Sequence, residues 1–412
     1  MRLHFKKREE GSSLFVAMTI CLIVGLILSG YMVLTSNRFQ MTVRSSDWNA
    51  AIPILEAGVE EAMTHLTRDP SAPTANNWTI DSVAGTQVYT KTRTFPDGSY
   101  FYVYISDLSA NDATIYSQGF VHSPYNTKFI SRTVKVGVTN PPSVFTHAIA
   151  ANGDISIVGH PIIDAFDSRL GLYNTSSNRT AAGGLATNSK TSSAVSLGGA
   201  NVYGPVSTGP GGVVSGGTVG DVAWNTSSTG IEGPAWTNNT MNVAYPSNYP
   251  PSGGPWGGLT TFTNITSGTY QLSSFSSSGD IIINGNVTLY ITSGSFDVKG
   301  NDTIRIKSGA SLKIIAAGSV SLGGGGVLNE TGYASYFGIV GLNSCTSISY
   351  TGNAQFIGTV NAPQADFVLK GTTEAYGAII ANSATMNGDT AMHYDISLAY
   401  QINYIVKSWQ EL

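Results

Sequence analysis

The chain has 412 residues, enough for two or three domains, yet only 11% are charged, against roughly 25% in ordinary soluble domains. Its 47 glycines, and the Ser, Thr and Asn that crowd the chain after residue 70, point to a β-rich extracytoplasmic protein rather than a cytosolic enzyme. The formal net charge is −4 and no Lys/Arg run follows residue 8, which excludes a nucleic-acid reader, since that task needs a basic face.

The N-terminus is split by charge. Arg2, Lys6, Lys7 and Arg8 precede a run, 12–36, of 25 uncharged residues. As helix that run measures roughly 37 Å, more than the roughly 30 Å of a bilayer's hydrocarbon. It is also too long for the apolar core of a cleaved signal peptide. The basic residues before it predict a cytoplasmic N-terminus. A second helical pattern follows, with Ile52, Leu55, Val59, Met63 and Leu66 near helical spacing and Glu56, Glu60 and Glu61 mostly elsewhere. Pro53 removes one backbone donor and predicts a kink or restart, and Asp69-Pro70 predicts the end.

A charged leader, Gly11, an uncharged helix and then "EAGVEEAM" at 56–63 resemble the N-terminus of PilX-like type IV pilus minor pilins, and are similar to type II secretion pseudopilins. The resemblance covers about the first 70 residues. It implies that a prepilin peptidase cuts after Gly11, making Ser12 the first mature residue, and that the apolar helix packs in a filament. Most pilins carry Glu five residues after the cut; this chain has Val16 there, as PilX-like proteins and some tip pseudopilins also lack that Glu. The departure argues against a major subunit. A plain single-pass anchor is the alternative.

Residues 75–140 read as a small β head, with strands at 98–107, 113–123 and 129–139 by β-branched and aromatic content. Pro96-Asp97-Gly98 and Ser123-Pro124 mark turns, and Asn140-Pro141-Pro142 marks a boundary. Beyond it the chain repeats. "HAIAANGDISIVG" (147–159), "LKIIAAGSVSLGG" (312–324) and "YGAIIANSATMNG" (376–388) align without gaps, with looser copies at 287–300, 337–352 and 357–371. The closing glycines Gly300, Gly324, Gly352, Gly371 and Gly388 lie 24, 28, 19 and 17 residues apart, about one turn of a parallel β-helix. Such strands cannot bury their inner faces alone, but stacked turns bury a continuous apolar column. An antiparallel sandwich would not reuse one unit at distant places. Residues 160–275 interrupt the pattern and read as an insertion over one face. Residues 395–412 read as a short helix capping the last turn. The region 147–412 is also similar to a C-terminal domain found on other PilX-like envelope proteins, a likeness that carries no catalytic residue.

Chemistry is sparse. Glycoside hydrolysis needs two carboxylates about 5–9.5 Å apart. The candidate acids are Asp154, Asp164, Asp167, Asp280, Asp297 and Asp302, with Asp164 and Asp167 the best pair; each reads more readily as a turn cap. Lys299, Arg305, Lys307 and Lys313 alternate as solvated strand positions do. The six histidines lack ligand spacing, though His147 and His160 flank one turn of the repeat. "DLSAND" (107–112) offers oxygens for Ca²⁺ but reads better as a bare turn. Cys21 and Cys345 form no CxxC and read as unpaired apolar thiols. Trp224, Trp236 and Trp256 are candidate glycan or protein contacts, against the plainer reading that they anchor loops.

The fold class expected is mainly β: an N-terminal transmembrane α-helix with a small pilin-like α+β head, then a right-handed parallel β-helix (solenoid). The divisions are a leader at 1–11, the helix at 12–68, the head at 75–140, the β-helix at 144–395 and a cap at 396–412. The function expected is non-catalytic: a minor pilin or pseudopilin-like envelope component with an adhesion role, without cofactor or metal. Its expected partners are the membrane, other pilin-like subunits, prepilin peptidase and a surface glycan, with no nucleic acid. Its expected place is the inner membrane, single-pass, with the bulk periplasmic or on the cell surface. The second hypothesis is a membrane-anchored protein that binds or cleaves polysaccharide, in which alanine at Asp164 and Asp167 would abolish activity.

Overall fold

The computed structural model describes residues 10–68, 74–83, 85–109, 111–123, 128–251, 253–259, 262–352, 354–371 and 374–412. The chain forms two compact units, Met1–Pro142 with Ile402–Leu412, and Ser143–Gln401.

The first unit is built on one helix, α1 (Glu10–Arg68). Its first half exposes Leu14, Phe15, Met18, Leu22, Leu26 and Ile27, and with a mean hydropathy of 2.4 it is long and apolar enough to cross a membrane. Two hydroxyls inside this stretch are satisfied locally: those of Thr19 and Thr35 donate to the carbonyls of Phe15 and Tyr31, both at 2.8 Å. The second half buries Ala51, Leu55, Val59, Ala62 and Leu66, a stripe at helical spacing, with Ile52 and Met63 half-buried beside it. The helix runs through Pro53 without the expected restart. Ala51 and Leu55 on either side are both buried against the sheet, which offsets the one lost backbone hydrogen bond.

That sheet is an antiparallel meander, β1 (Thr79–Val83), β2 (Thr86–Thr94), β3 (Tyr100–Ser106), β4 (Asp112–His122) and β5 (Phe129–Thr139). Phe101, Val103, Ile105, Ile115, Val134 and Val136 cover α1. The helix lies very close to β4. A Cβ at Gly119 would sit 2.6 Å from the Ala51 carbonyl oxygen and 2.7 Å from the Leu55 nitrogen. Ser117 Oγ donates to the Leu55 carbonyl at 2.7 Å, so a buried polar pair locks the same contact.

The sixth strand corrects the expectation of a C-terminal cap. Residues 396–412 do not form a helix on the solenoid. Ile396–Tyr400 is a 3₁₀ turn, and Ile405–Glu411 is a strand that pairs antiparallel with β5 in the first unit. Glu411 reaches Arg132 at 2.5 Å. The segment "YIVKSWQE" is rich in strand formers, and the open edge of β5 supplies the backbone partners. The solenoid is therefore inserted between the fifth and sixth strands of the head.

The second unit is a parallel β-helix with three faces per turn, as Thr303–Ile306, Ser311–Ala316 and Val320–Leu322 show in one turn. Inner positions such as Leu289, Ile314, Ile339, Val360 and Ile379 form one buried column. The three gap-free repeats fall on the same corner of the stack, and two are direct neighbours: Ile379 pairs with Ile149 and Ala384 with Ile155. Glycine recurs where the turns close because the backbones touch there. A Cβ at Gly159 would lie 2.7 Å from the carbonyl oxygen of Gly388 in the turn beside it, and Gly159 has φ +103°.

The order of turns in space is not their order in sequence. Strands within 264–387 stack successively. The next turn is made by both ends of the unit. Met392–Asp395 forms one face, pairing with Ala375–Ala381, while Ile149–Ala151 and Ile155–Val158 form the other two. The stack then continues through Ile162–Phe166, Leu185–Thr187 and Val195–Ser196 to Gly230–Ile231 and Thr237–Asn238. The chain thus enters mid-stack, winds to one end, crosses to the other end through 239–263, and winds back to where it began. Along the crossing Asn188 Nδ2 donates to the Val243 carbonyl (2.6 Å), Asn248 Nδ2 to those of Gly341 and Asn361 (3.0 and 2.9 Å), and Gly257 bridges Tyr270. The insertion expected at 160–275 is accordingly a correction: most of it is solenoid, and up to residue 238 its strands have two to five residues, too short to show a period. Cutting a solenoid in its middle leaves both ends on neighbouring strands, the arrangement that domain insertion requires.

Candidate functional site

The polar cluster with the most buried chemistry sits at this seam. Asp164, on Ile162–Phe166, and His393, on Met392–Asp395, are ladder partners on adjacent parallel strands. Their neighbours Ile163 and Met392 fill the core, so by strand alternation Asp164 and His393 point outward. Both are nonetheless buried, Asp164 completely, because the loop 167–184 folds back over the strand and bridges Ala165 to Thr180. A Cβ at Gly183 would lie 2.5 Å from the Asp164 carbonyl oxygen, so only glycine lets the loop come down this far.

Both oxygens of the carboxylate have partners. His393 Nδ1 lies 2.5 Å from Oδ1. Tyr173 donates its hydroxyl to Oδ2 at 2.7 Å. Arg179 Nε lies 2.8 Å from the same oxygen, at ion-pair distance, without the alignment of a hydrogen bond. The Arg179 guanidinium also rests 4.8 Å from the Tyr203 ring, and Tyr173 stacks on His393 at 3.8 Å. Burial first, and the Asp164 carboxylate second, push the Tyr173 hydroxyl well above the usual tyrosine range. Among the described residues His393 Nε2 has no hydrogen-bond partner. The carboxylate orients the ring, as in a nucleophilic triad, but the rings around it are those of Tyr173, stacked on it, and Tyr376, tilted against it. The arrangement suits a clasp that holds the two halves of the solenoid together where the chain is cut.

The other sequence candidates separate. Asp167 caps the 3₁₀ turn Ser168–Leu170 and makes a two-pronged pair with Arg169, whose side-chain donation holds its carboxyl below the usual range. The Asp164–Asp167 pair is therefore a sealed clasp residue beside a turn cap. Asp280 accepts from the Thr303 nitrogen (2.8 Å), Asp302 from the Gly279 nitrogen (3.0 Å) and Asp297 from Ser295 Oγ (2.6 Å). Asp154 accepts from Ser189, Thr191 and Ser193, and the Ser189 hydroxyl chiefly lowers its pKa. His147 lies beside Gly184 and His160 beside Gly199, at different corners of the stack. Among the described residues no group of three or more His, Cys, Asp or Glu could hold a metal.

The three candidate tryptophans, Trp224, Trp236 and Trp256, are half-buried. Trp224 Nε1 donates to the Gly230 carbonyl at 3.0 Å, Trp236 packs on the solenoid core, and Trp256 Nε1 donates to the Gly253 carbonyl at 2.7 Å with its ring 5.4 Å from Tyr290. Gly11 and Ser12 fall in the first turns of α1, while residues 1–9 of the expected leader lie outside the described residues. One open groove of about 460 Å³ crosses the outer face of the solenoid, lined by Thr269, Asn286, Thr288, Ser311, Lys313 and Tyr336. Sequence reasoning missed His393, Tyr173 and Arg179. Only "MHYD", a polar residue between two core positions, hinted at His393.

Comparison with known proteins adds a partial family match. The model of a domain of unknown function (DUF7305) matches residues 239–400, which run from the crossing through the half-stack after it. No curated protein matches the sequence. Among solved structures, the competence-associated pilin ComZ from Thermus thermophilus is similar at 12% identity, over 88% of this chain and 97% of that one, with a TM-score of 0.26. A score that low does not establish a shared fold.

Proposed function

We propose that this chain is a non-catalytic, membrane-anchored pilin-like envelope protein that carries a β-helix as its display surface. One observation carries the reading. A single helix is bare and apolar in its first half and is the spine of a six-stranded antiparallel head in its second, and the solenoid is inserted within that head. Such a chain is suited to anchoring, and to packing its bare helix against like helices, while the inserted domain keeps its richest polar cluster sealed from solvent. On this reading prepilin peptidase cuts between Gly11 and Ser12, the N-terminus starts cytoplasmic, and the bulk lies outside the inner membrane. The absence of Glu at Val16 favours a minor subunit over a major one. The test is the mass of the mature N-terminus of protein taken from its native membrane. A start at Ser12 supports it; an intact Met1 reduces it to a plain anchor.

A second reading, binding of a polysaccharide, is favoured by the groove over Thr269, Thr288 and Lys313, with Tyr336 at its wall. Hydroxyls, an amide, an ammonium and an aromatic ring are the groups that hold sugars. Retention of surface glycans by the wild type, lost with Tyr336→Ala and Lys313→Ala together, tests it.

A further inference from the structure

The head has a cavity of its own, of about 590 Å³, between α1 and the facing ends of β4 and β5. Its walls include Asn37, Gln40, Met41 and Arg44 from one face of the helix, and Lys128 and Phe129 from the facing end of β5. The volume lies within the roughly 300–1,000 Å³ of small-ligand sites. We infer that this cavity holds the anionic headgroup of a membrane phospholipid, docking the head on the bilayer through which α1 passes. The inference rests on the anchored reading above and adds a specific lipid site to it.

Three observations converge. The first is position. Gly119 against Ala51 and Leu55, and Ser117 against Leu55, show β4 running antiparallel to the helix. The described ends of β4 and β5, at Ser123 and Lys128, therefore lie toward the apolar half, and the cavity begins at Asn37, where the uncharged run ends. The second is charge. Arg44 and Lys128 both line the cavity, no acidic residue does, and among the described residues neither cation has an ion-pair partner. Lys91 and Arg93 of this unit pair with Glu61, and Arg132 pairs with Glu411, whereas Arg38, Lys135 and Lys407, like Arg44 and Lys128, make no ion pair among the described residues, so it is the convergence of two such cations on one cavity that marks the site. The third is amphipathic character. Met41 and Phe129 are 74% and 43% exposed beside those cations, giving an acyl chain apolar surface next to a phosphate site. Asn37 and Gln40 add side-chain amides able to donate to phosphate or glycerol oxygens. A free phosphate would use the cations and leave the apolar wall idle.

Each basic residue near an anionic surface strengthens binding about fivefold, so the pair is worth about thirtyfold. The test uses the full chain in nanodiscs of phosphatidylcholine with graded phosphatidylglycerol, followed by native mass spectrometry of the retained lipid. The wild type should retain phosphatidylglycerol in preference to phosphatidylcholine. Arg44→Ala with Lys128→Ala should weaken that retention about thirtyfold, while Lys407→Ala, an equal kind of charge loss on the C-terminal strand, should leave it within twofold. Equal retention of the two lipids, or equal loss in Lys407→Ala, overturns the site while leaving the anchor intact. Failure of the wild type to stay in the bilayer under carbonate extraction overturns the site and the anchored reading together.

Discussion

Replacing Asp164 with alanine should open the seam of the solenoid. The change leaves the Arg179 guanidinium, the His393 ring and the Tyr173 hydroxyl without their common acceptor, in a place where Asp164 has no exposure at all. Removing one partner of a buried ion pair costs about 3–5 kcal/mol, because the remaining charge stays desolvated. A solenoid's stability is approximately a sum over neighbouring turns, so the loss should be local. Native-state hydrogen exchange on the full protein reads it. Protection should fall by about two to four orders of magnitude at Ile162–Phe166 and Met392–Asp395, and little at the remote strand Phe296–Val298. Asp164→Leu combined with Arg179→Met should recover most of the loss, since an apolar pair of similar volume replaces a buried ion pair at little cost. Protection within tenfold of wild type in the alanine variant, or a loss spread evenly along the stack, would refute the clasp.

Single contacts set three further outcomes. Gly119→Ala should destabilise the head by about 1–3 kcal/mol and lower its melting temperature, because the new methyl meets the α1 backbone at 2.6 Å. Asp154 has its carboxyl held low, first by Ser189, so it stabilises the fold above its unfolded pKa and that contribution disappears as pH falls through the folded value. Asp154→Asn should therefore be less stable than wild type at neutral pH, with the difference in urea midpoint closing as pH falls through and below the ordinary aspartate range. Cys345 is fully buried, and burial pushes its thiol up to about 11, so maleimide at pH 8 should label it only after denaturation.

Much of the fold is legible in the sequence, and the reason is physical. The repeats 147–159, 312–324 and 376–388 occupy equivalent corners, where inner positions must be apolar and closing positions must lack a Cβ, so one environment selects one pattern three times. The head strands at 98–107, 113–123 and 129–139 are long, half-buried and alternating, and β3, β4 and β5 lie there. What was illegible is adjacency. Ile149 pairs with Ile379, and Ile405–Glu411 pairs with β5, across separations that no local pattern records. The clasp fails for the same reason. Asp164 reads as one more turn aspartate until His393, 229 residues away, stands beside it. The half-stack from 185 to 238 was hidden because strands such as Val195–Ser196 and Val206–Ser207 have only two residues, fewer than one full alternation.

The central functional claim is that the bare half of α1 packs the chain into a surface filament with the solenoid displayed. Filaments sheared from intact cells, probed with an antibody to the solenoid, test it most directly. The account predicts the full-length mature chain in the sheared fraction, and its loss from that fraction when Leu22 and Leu26 on the bare helix are replaced by serine. A sheared fraction free of the chain, with all of it left in the membrane, would contradict the account.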